Sequence, residues 1–224
     1  LILFAASVFA VLIVIYSIGY MKGKSRLNEY YAYILLTAGG AAAAILADNL
    51  IFFLIGWEIV SILLFFLITI GGDDAREAAG KTFVIIGFSD CALLLGIVLL
   101  WSIMGTLQMS RINGVGVNSA VMTVTYVMFL IGALVKAGAI PGHSWIPTAS
   151  ESAPASVMAY LPASLDKLLG IYLLARISLD MFVLSQGLKV LLLIIGAVTI
   201  ILAVMMALLQ HNLKKLLAFH AVSQ

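Results

Sequence analysis

Charged side chains are scarce in this sequence: Asp, Glu, Lys and Arg make up 10% of its 224 residues, whereas hydrophobic residues make up 64%. So little polar surface cannot cover a water-soluble domain of this length, and the mean hydropathy of +1.20 indicates an integral membrane protein. The formal net charge of +2 is too small to indicate a nucleic-acid partner. The surroundings we expect for this chain are a lipid bilayer.

Cysteine is also nearly absent, since Cys91 is the single instance and lies inside an apolar run. One cysteine excludes a disulfide framework, a cysteine-rich metal site or an iron-sulfur cluster built from this chain alone. His143, His211 and His220 share no ligand spacing, so we expect neither a metal site nor a cofactor. Any redox chemistry would then belong to a partner.

The alternation of apolar and polar residues that marks a membrane β-barrel is missing as well. The apolar segments are continuous and rich in Leu, Ile, Ala and Gly, which indicates helices that cross the roughly 30 Å hydrocarbon core in about 20 residues each. Seven such segments are predicted: Leu1–Tyr20, Tyr30–Ala47, Leu50–Ile70, Lys81–Met104, Val121–Ile140, Ala155–Ile177 and Leu188–Leu209. The predicted fold class is an all-α transmembrane bundle of several helices.

A break is predicted at the end of the fifth segment. Pro141 and Gly142 follow it directly, and both favour a turn over a continuous helix. Pro147 and Pro154 should keep the next stretch irregular until the sixth segment begins. The bundle should therefore contain a discontinuous helix, and a polar loop is expected over Gly71–Gly80.

The two ends of the sequence indicate a piece of a longer chain. Leu1 lies inside an apolar run with no charged flank before it, which fits neither a signal peptide nor a natural start. After the seventh segment, Lys214 and Lys215 open an amphipathic piece that reaches Gln224. We expect residues 1–224 to form one transmembrane domain, with about seven spans and the start of an eighth.

The basic residues of the loops predict the orientation of the bundle. Because successive loops alternate between the two sides of the membrane, the basic residues can be assigned to each side. One side collects Lys22, Lys24, Arg26, Arg76, Lys214 and Lys215, and the other collects Arg111, Arg176 and Lys189. The positive-inside rule predicts that the first side is cytoplasmic.

Four ionisable residues, Glu58, Lys136, Asp166 and Lys167, lie inside the apolar segments. A charge near the bilayer centre costs about 2.5–3.5 kcal/mol even on the lenient insertion scale, so such residues commonly mark ion pathways. Ser61 falls within about 60° of Glu58 on an α-helix and could be its neighbour. Two structural alternatives stay open: Glu58 as a protonated, hydrogen-bonded residue, and Lys136 as a lysine that snorkels from a nearby helix end.

The sixth segment carries a polar pattern on an otherwise apolar helix. A sector of about 80° around an α-helix collects four residues of this segment: Ser156, Tyr160, Ser164 and Lys167. Hydroxyls that lead to an amine could hold a chain of water molecules, although an ordinary polar helix contact is the alternative. Asp166 points about 100° away from Lys167, so the two should not pair.

Three further residues are candidates for a relay of ions. Asp90 lies in the fourth segment, where a structural hydrogen bond is as good an explanation as a role in transport. His143 follows the predicted break, and Lys215 lies at the start of the last amphipathic piece.

Several groups of residues, in this order along the chain, resemble the antiporter-like subunits shared by respiratory complex I, Mrp sodium/proton antiporters and energy-converting membrane-bound hydrogenases. They are Ala47-Asp48-Asn49-Leu50, Gly56-Trp57-Glu58, Lys136-Ala137-Gly138 with His143-Ser144-Trp145-Ile146-Pro147, Gly170–Arg176, Leu213–Ala218 and Val222-Ser223-Gln224. The resemblance covers essentially the whole chain. It implies a subunit of about fourteen helices built from inverted five-helix repeats, of which this chain would supply the third to ninth helices and the opening of the tenth.

The resemblance also assigns roles to individual residues. It matches Glu58 to the family's pairing carboxylate and Lys136 to its buried lysine on a broken helix, so it implies a Glu–Lys pair. The sequence departs from the family in the sixth segment. Pro162 stands where Mrp-like relatives carry a histidine, and Leu168 stands where many relatives carry a lysine. Lys167, one position earlier, is the candidate to replace that relay.

The resemblance and the buried charges together predict a proton- or sodium-translocating subunit of a membrane-bound respiratory oxidoreductase complex, either hydrogenase-like or NADH:quinone oxidoreductase-like. No redox step is expected in this chain, which would act as a translocase. The implied partners are other antiporter-like subunits of a membrane arm and a peripheral redox arm, in the inner (cytoplasmic) membrane. Two alternatives stay open: a structural subunit that does not pump, and an Mrp-type Na+/H+ antiporter subunit.

Overall fold

A computed structural model of the chain describes all 224 residues and consists mainly of helices. The α-helices are α1 (Ile2–Tyr20), α2 (Leu27–Leu46), α3 (Leu50–Thr69), α4 (Ala75–Met104), α5 (Ala120–Ala137), α6 (Trp145–Ser152), α7 (Ala155–Tyr160), α8 (Asp166–Ala175), α9 (Gln186–Leu208) and α10 (Leu213–Ser223). Wider π-helical turns cover Leu161–Leu165 and Arg176–Met181, and short 3₁₀ turns cover Met109–Arg111 and Gly142–Ser144. Two parallel strands of two residues each, β1 (Val115–Gly116) and β2 (Phe182–Val183), pair at one end of the bundle.

The all-α transmembrane prediction is confirmed, because seven helices or broken helices are long and apolar enough to cross a membrane. Their number and order are those expected from the apolar segments. α3 packs between α2 and α4, and α5 packs between α4 and α8. α1 and α9 lie at the periphery, where most of their residues are exposed. The polar residues of interest therefore sit on the central helices.

Several span ends differ from the sequence expectation by one to six residues, and two differences are the most instructive. α4 begins at Ala75, inside the predicted loop, and the ion pair of 2.7 Å between Glu77 and Lys81, one turn apart, adds a small stabilisation to this extension. The stretch that holds Pro147 is helical as α6. Pro147 is the third residue of that helix, where a backbone N–H has no partner within the helix and its loss costs little.

The fifth span is a discontinuous helix, as predicted, formed by α5 and α6. α5 ends at Ala137, and the next residue, Gly138, has a φ of +81°, which lies in the left-handed region that glycine adopts without strain. The carbonyl of Val135 accepts hydrogen bonds from the Gly138 backbone N–H at 3.0 Å and from the indole N–H of Trp145 at 2.9 Å. The break therefore keeps its backbone partly satisfied, and it places Lys136 in the last turn of α5, where the helix dipole favours a cation.

α8 approaches the last turn of α5 very closely. A Cβ atom added at Gly170 would lie 2.6 Å from the backbone nitrogen of Ala137 and 2.7 Å from the carbonyl oxygen of Ala133. Only glycine fits there without moving one helix. This contact brings the start of α8 beside Lys136.

Candidate functional site

Lys136 is the centre of a buried polar cluster. Its side chain has no exposed surface, and its Nζ lies 3.3 Å from Oδ1 of Asp166 and 2.6 Å from Oγ of Ser61. The ammonium also lies 4.9 Å from the ring centroid of Trp57 and 3.5 Å from the Trp57 carbonyl oxygen. Lys136 thus does not snorkel to a surface, and its charge is met inside the protein by a carboxylate, a hydroxyl and an aromatic face.

Asp166 is the direct counter-ion of Lys136. Its side chain is completely buried, and neither carboxylate oxygen has a partner in hydrogen-bond geometry. The 3.3 Å contact is an ion pair without a well-aligned hydrogen bond. A buried carboxylate with free lone pairs is a natural acceptor for a proton or another small cation.

Asp90, on α4, is a second carboxylate close to Lys136. Its oxygens accept hydrogen bonds from the indole N–H of Trp57 at 2.7 Å and from the Ser61 hydroxyl at 2.9 Å. The Ser89 hydroxyl lies 3.5 Å away. Ser61 therefore stands between the Lys136 ammonium and the Asp90 carboxylate, within hydrogen-bond distance of both.

The implied Glu58–Lys136 pair is not formed in this structure. Glu58 is half-buried, makes no ion pair or hydrogen bond, and only lies within electrostatic range of Asp90 and Lys136. The reason is the rotation of α3, which turns Trp57 and Ser61 toward Lys136 and leaves Glu58 beside the outward-facing residues Ile55 and Ile62.

The single polar face expected on the sixth span is also not found. A π-helical turn covers Leu161–Leu165 and interrupts the α-helix that the angular prediction assumed. The interruption includes Pro162, which lacks a backbone N–H, and the Ser164 hydroxyl donates to the carbonyl of Ala159 five residues earlier, at 2.8 Å. The residues of this span consequently face different helices.

Three contacts show how the polar residues of the sixth span are distributed. The Tyr160 hydroxyl lies 3.5 Å from the Ile34 carbonyl of α2. Asp166 faces α5, as described above, and the Lys167 ammonium donates to the carbonyl of Ala221 on α10. Asp166 and Lys167 thus have separate partners, as their angular separation predicts.

Ser156 is buried and faces α2. Its Oγ and the hydroxyl of Tyr30 are both buried and lack a partner in hydrogen-bond geometry, although the two groups lie side by side. Buried hydroxyls without a hydrogen-bond partner are uncommon in folded proteins.

The remaining relay candidates lie away from the cluster. His143 sits in the break between α5 and α6, with its ring 6.2 Å from that of Phe219 and with no contact to Lys136. Lys215 forms an ion pair with Glu151, and Lys214 donates to the Ala153 carbonyl at 3.1 Å. These two lysines fasten the start of α10 to the end of α6.

Sequence reasoning identified Lys136, Asp166 and Asp90 but not how they are connected. It assigned no role to the Trp57 indole, which bridges to Asp90 and lies beside Lys136. It also placed Ser61 with Glu58, whereas Ser61 contacts Lys136 and Asp90. The periodicity of α3 gave the relevant signal, because Trp57 and Ser61 lie four residues apart on one helix face.

Comparisons with known proteins agree with one another. The model of the family described as NADH:quinone oxidoreductase/Mrp antiporter, transmembrane, matches residues 47–224. Na(+)/H(+) antiporter subunit A1 of Staphylococcus epidermidis is 33% identical over 219 residues, which cover 95% of this chain and 27% of the relative. This chain therefore spans about a quarter of the length of that curated relative.

Two solved structures resemble the fold closely. A chain of the Mrp complex from Dietzia sp. DQ12-45-1b superposes with a TM-score of 0.86 at 29% identity, over 96% of this chain and 24% of that one. A chain of the membrane-bound sulfane sulfur reductase, an archaeal respiratory membrane complex, gives a TM-score of 0.87 at 25% identity, over 98% of this chain and 46% of that one. Both neighbours are parts of larger complexes.

Proposed function

Because the chain belongs to the NADH:quinone oxidoreductase/Mrp antiporter transmembrane family, we propose that it is the central part of an ion-translocating subunit in a multi-subunit membrane complex. The observation that carries this proposal is the Lys136–Asp166 ion pair, which is fully buried at the end of a broken helix. Ionisable side chains at membrane depth are costly and commonly serve ion pathways.

The proposed mechanism uses the charge of Lys136. Two unit charges about 4 Å apart attract by ~4 kcal/mol at an effective dielectric of about 20, and moving one charge through 100 mV takes about 2.3 kcal/mol. Neutralising Asp166 with a proton or a cation therefore changes the energy of Lys136 by an amount that matters for transport. Lys136 then releases its proton, and it is reloaded when Asp166 becomes charged again.

Glu58 is proposed to bias this pair from a distance. It lies within electrostatic range of Lys136 without contacting it, on the outward side of α3. A change of charge at Glu58 would raise or lower the affinity of Lys136 for its proton without breaking the contact to Asp166.

We propose protons or sodium ions as the transported species and the inner (cytoplasmic) membrane as the location. The proposed partners are further antiporter-like subunits and, in a respiratory assembly, a peripheral redox arm. A Na+/H+ antiporter subunit is the second candidate, favoured by the 33% identity to an Na(+)/H(+) antiporter subunit over 95% of this chain. A subunit that only supports the membrane arm is the third.

Lys136→Met tests the proposal, with Lys81→Met as its matched control. Both substitutions remove an ammonium group, but Lys81 is largely exposed near the start of α4. Ion uptake by inverted vesicles that contain the assembled complex should fall at least tenfold in Lys136→Met and stay near the wild-type rate in Lys81→Met. Unchanged uptake in Lys136→Met would favour the supporting subunit. Repeating the assay with and without Na+ separates proton pumping from Na+/H+ exchange.

A further inference from the structure

Ser61 forms a hydrogen-bonded bridge between an amine and a carboxylate. Its Oγ lies 2.6 Å from Nζ of Lys136 and 2.9 Å from Oδ2 of Asp90. All three residues are buried: the exposed fraction is 0% for Lys136, 4% for Ser61 and 3% for Asp90. No other hydroxyl lies within hydrogen-bond distance of both groups.

A serine hydroxyl can accept one hydrogen bond while it donates another, which is what this geometry requires. We propose that Ser61 relays a proton between Lys136 and Asp90, so that Asp90 stores the proton that Lys136 releases. This inference rests on the proposed function and adds an acceptor on α4 to the pair formed by α5 and α8.

The proposed step balances without any other reactant. One Nζ–H bond of Lys136 breaks and an O–H bond forms on Ser61, while the original Ser61 hydrogen passes to Oδ2 of Asp90. Lys136 becomes a neutral amine and Asp90 a neutral carboxylic acid. Two buried charges are removed together, so the apolar surroundings do not oppose the step.

The surroundings of Asp90 suit a group that receives a proton and returns it. Trp57 holds Oδ1 through its indole N–H at 2.7 Å, which leaves Oδ2 directed at Ser61. The Ser61 hydroxyl also lies 3.2 Å from the Trp57 carbonyl oxygen. The Ser61 hydroxyl can therefore rotate and donate to the Trp57 carbonyl instead of to Asp90. The relay needs this second orientation so that the hydroxyl can accept the proton back from Asp90.

The two carboxylates have different parts in this scheme. Asp166 contacts Lys136 directly from α8 but accepts no aligned hydrogen bond, whereas Asp90 on α4 is oriented by Trp57 and Ser61. When a cation or proton neutralises Asp166, Lys136 loses its direct counter-ion and passes its proton to Asp90. Lys136 is thereby linked to Asp166 on α8 and, through Ser61, to Asp90 on α4. Glu58 contacts none of these residues.

Ser61→Ala and Ser61→Thr test the relay in the assembled complex reconstituted in vesicles. Loss of a positioned proton carrier typically costs at least a hundredfold in rate, and a water molecule that replaces the hydroxyl would recover part of that. We expect proton transport to fall at least tenfold in Ser61→Ala and to stay within about threefold of wild type in Ser61→Thr, which keeps the hydroxyl. Ser150→Ala is the control and should keep the wild-type rate, because Ser150 is also a buried serine but its hydroxyl donates to the Pro147 carbonyl and contacts neither Lys136 nor Asp90.

The combination with Asp90→Asn shows whether the two residues act in one path. If Ser61 passes its proton to Asp90, the double variant Ser61→Ala/Asp90→Asn should transport no more slowly than the slower single variant. Losses that multiply would overturn the relay. Should Ser61→Ala fail to assemble, Asp90→Asn alone decides, because wild-type transport in that variant also rejects the inference.

The failure of this inference differs from the failure of the proposed function. Wild-type transport in Ser61→Ala together with no transport in Lys136→Met would reject the relay and leave ion translocation by Lys136 in place. Wild-type transport in Lys136→Met would reject the translocation itself.

Discussion

The buried charges of Lys136 and Asp166 are poorly explained as a device for stability. A buried ion pair can be replaced by apolar residues of similar size with little loss, whereas removing one partner leaves an uncompensated charge. The cluster also leaves both oxygens of Asp166 without an aligned donor, which a purely structural role would not require. At the scale of single residues, this arrangement is what a site that exchanges protons or cations needs.

Asp166→Asn should therefore destabilise the protein more than the double variant Lys136→Met/Asp166→Asn. The single substitution removes the direct counter-ion of Lys136, so the folded protein must either keep a buried ammonium without it or give up the Lys136 proton, at a cost of roughly 3–5 kcal/mol in the free energy of unfolding. Removing the amine as well should recover most of that loss. Thermal unfolding of the purified protein in detergent at neutral pH measures both values. A double variant that is less stable than Asp166→Asn would show that the pair stabilises the fold.

Lys167→Met should reduce ion transport much less than Lys136→Met. The Lys167 ammonium binds the Ala221 carbonyl on α10 and is separated from the Lys136–Asp166 pair, so we expect it to hold α10 against α8. Vesicle uptake within about threefold of wild type is the predicted result. A loss as large as that of Lys136→Met would return the relay role to Lys167.

At the scale of helices, the site depends on the close approach of α8 to α5. Gly170→Ala places a methyl group within 2.6 Å of the backbone nitrogen of Ala137, so one helix must move. Overpacking of this kind costs about 1–3 kcal/mol, and the shift should also lengthen the Lys136–Asp166 contact and slow transport. Gly196→Ala is the control, since no atom lies within 4 Å of a Cβ atom at that position of α9. Equal thermal stability of the two variants would contradict this packing.

The spans and the break could be predicted because they depend on local sequence. Long apolar runs located the spans, and Pro141 with Gly142 located the end of α5. The start of α4, by contrast, lies in a polar segment that is typical of a loop, although the Glu77–Lys81 pair in this segment is compatible with a helix. Local composition therefore predicts which segments are membrane helices, with errors of several residues at the helix ends.

The connections within the site could not be predicted in the same way. The partner of Lys136 depends on how α8 packs against α5, and on the π-helical turn over Leu161–Leu165 that changes the direction of every later side chain. Angles of 100° per residue assume an uninterrupted α-helix. The resemblance to a known family named Glu58 as the partner, and the rotation of α3 places Trp57 and Ser61 there instead.

At the scale of the whole molecule, the basic loops gather at one end of the bundle. The Arg26 guanidinium donates to the Thr69 carbonyl at 3.1 Å, and Lys214 and Lys215 are fixed to the end of α6. Arg111 and Arg176 lie at the other end, near the paired strands β1 and β2. This separation agrees with the assignment of the basic loops to two sides of the membrane, and the cytoplasmic location of the first side stays a prediction of the positive-inside rule.

Cysteine labelling tests the orientation. In a Cys91→Ala background, which removes the exposed native thiol, Lys24→Cys and Lys215→Cys should react with an impermeant maleimide only from the cytoplasmic side. Asn113→Cys should react only from the opposite side. Reversed labelling would invert the bundle and with it the direction of the proposed ion path.

The most direct test of ion translocation by Lys136 is the charge movement of the assembled complex on a solid-supported membrane. The double variant Lys136→Met/Asp166→Asn is the decisive protein, because it should keep most of its stability while it lacks both charges of the buried pair. We predict a transient current in the wild-type complex when its driving reaction or ion gradient is applied, and at most a tenth of that current from this subunit in the double variant. A current of wild-type size in an intact double-variant complex would contradict the account.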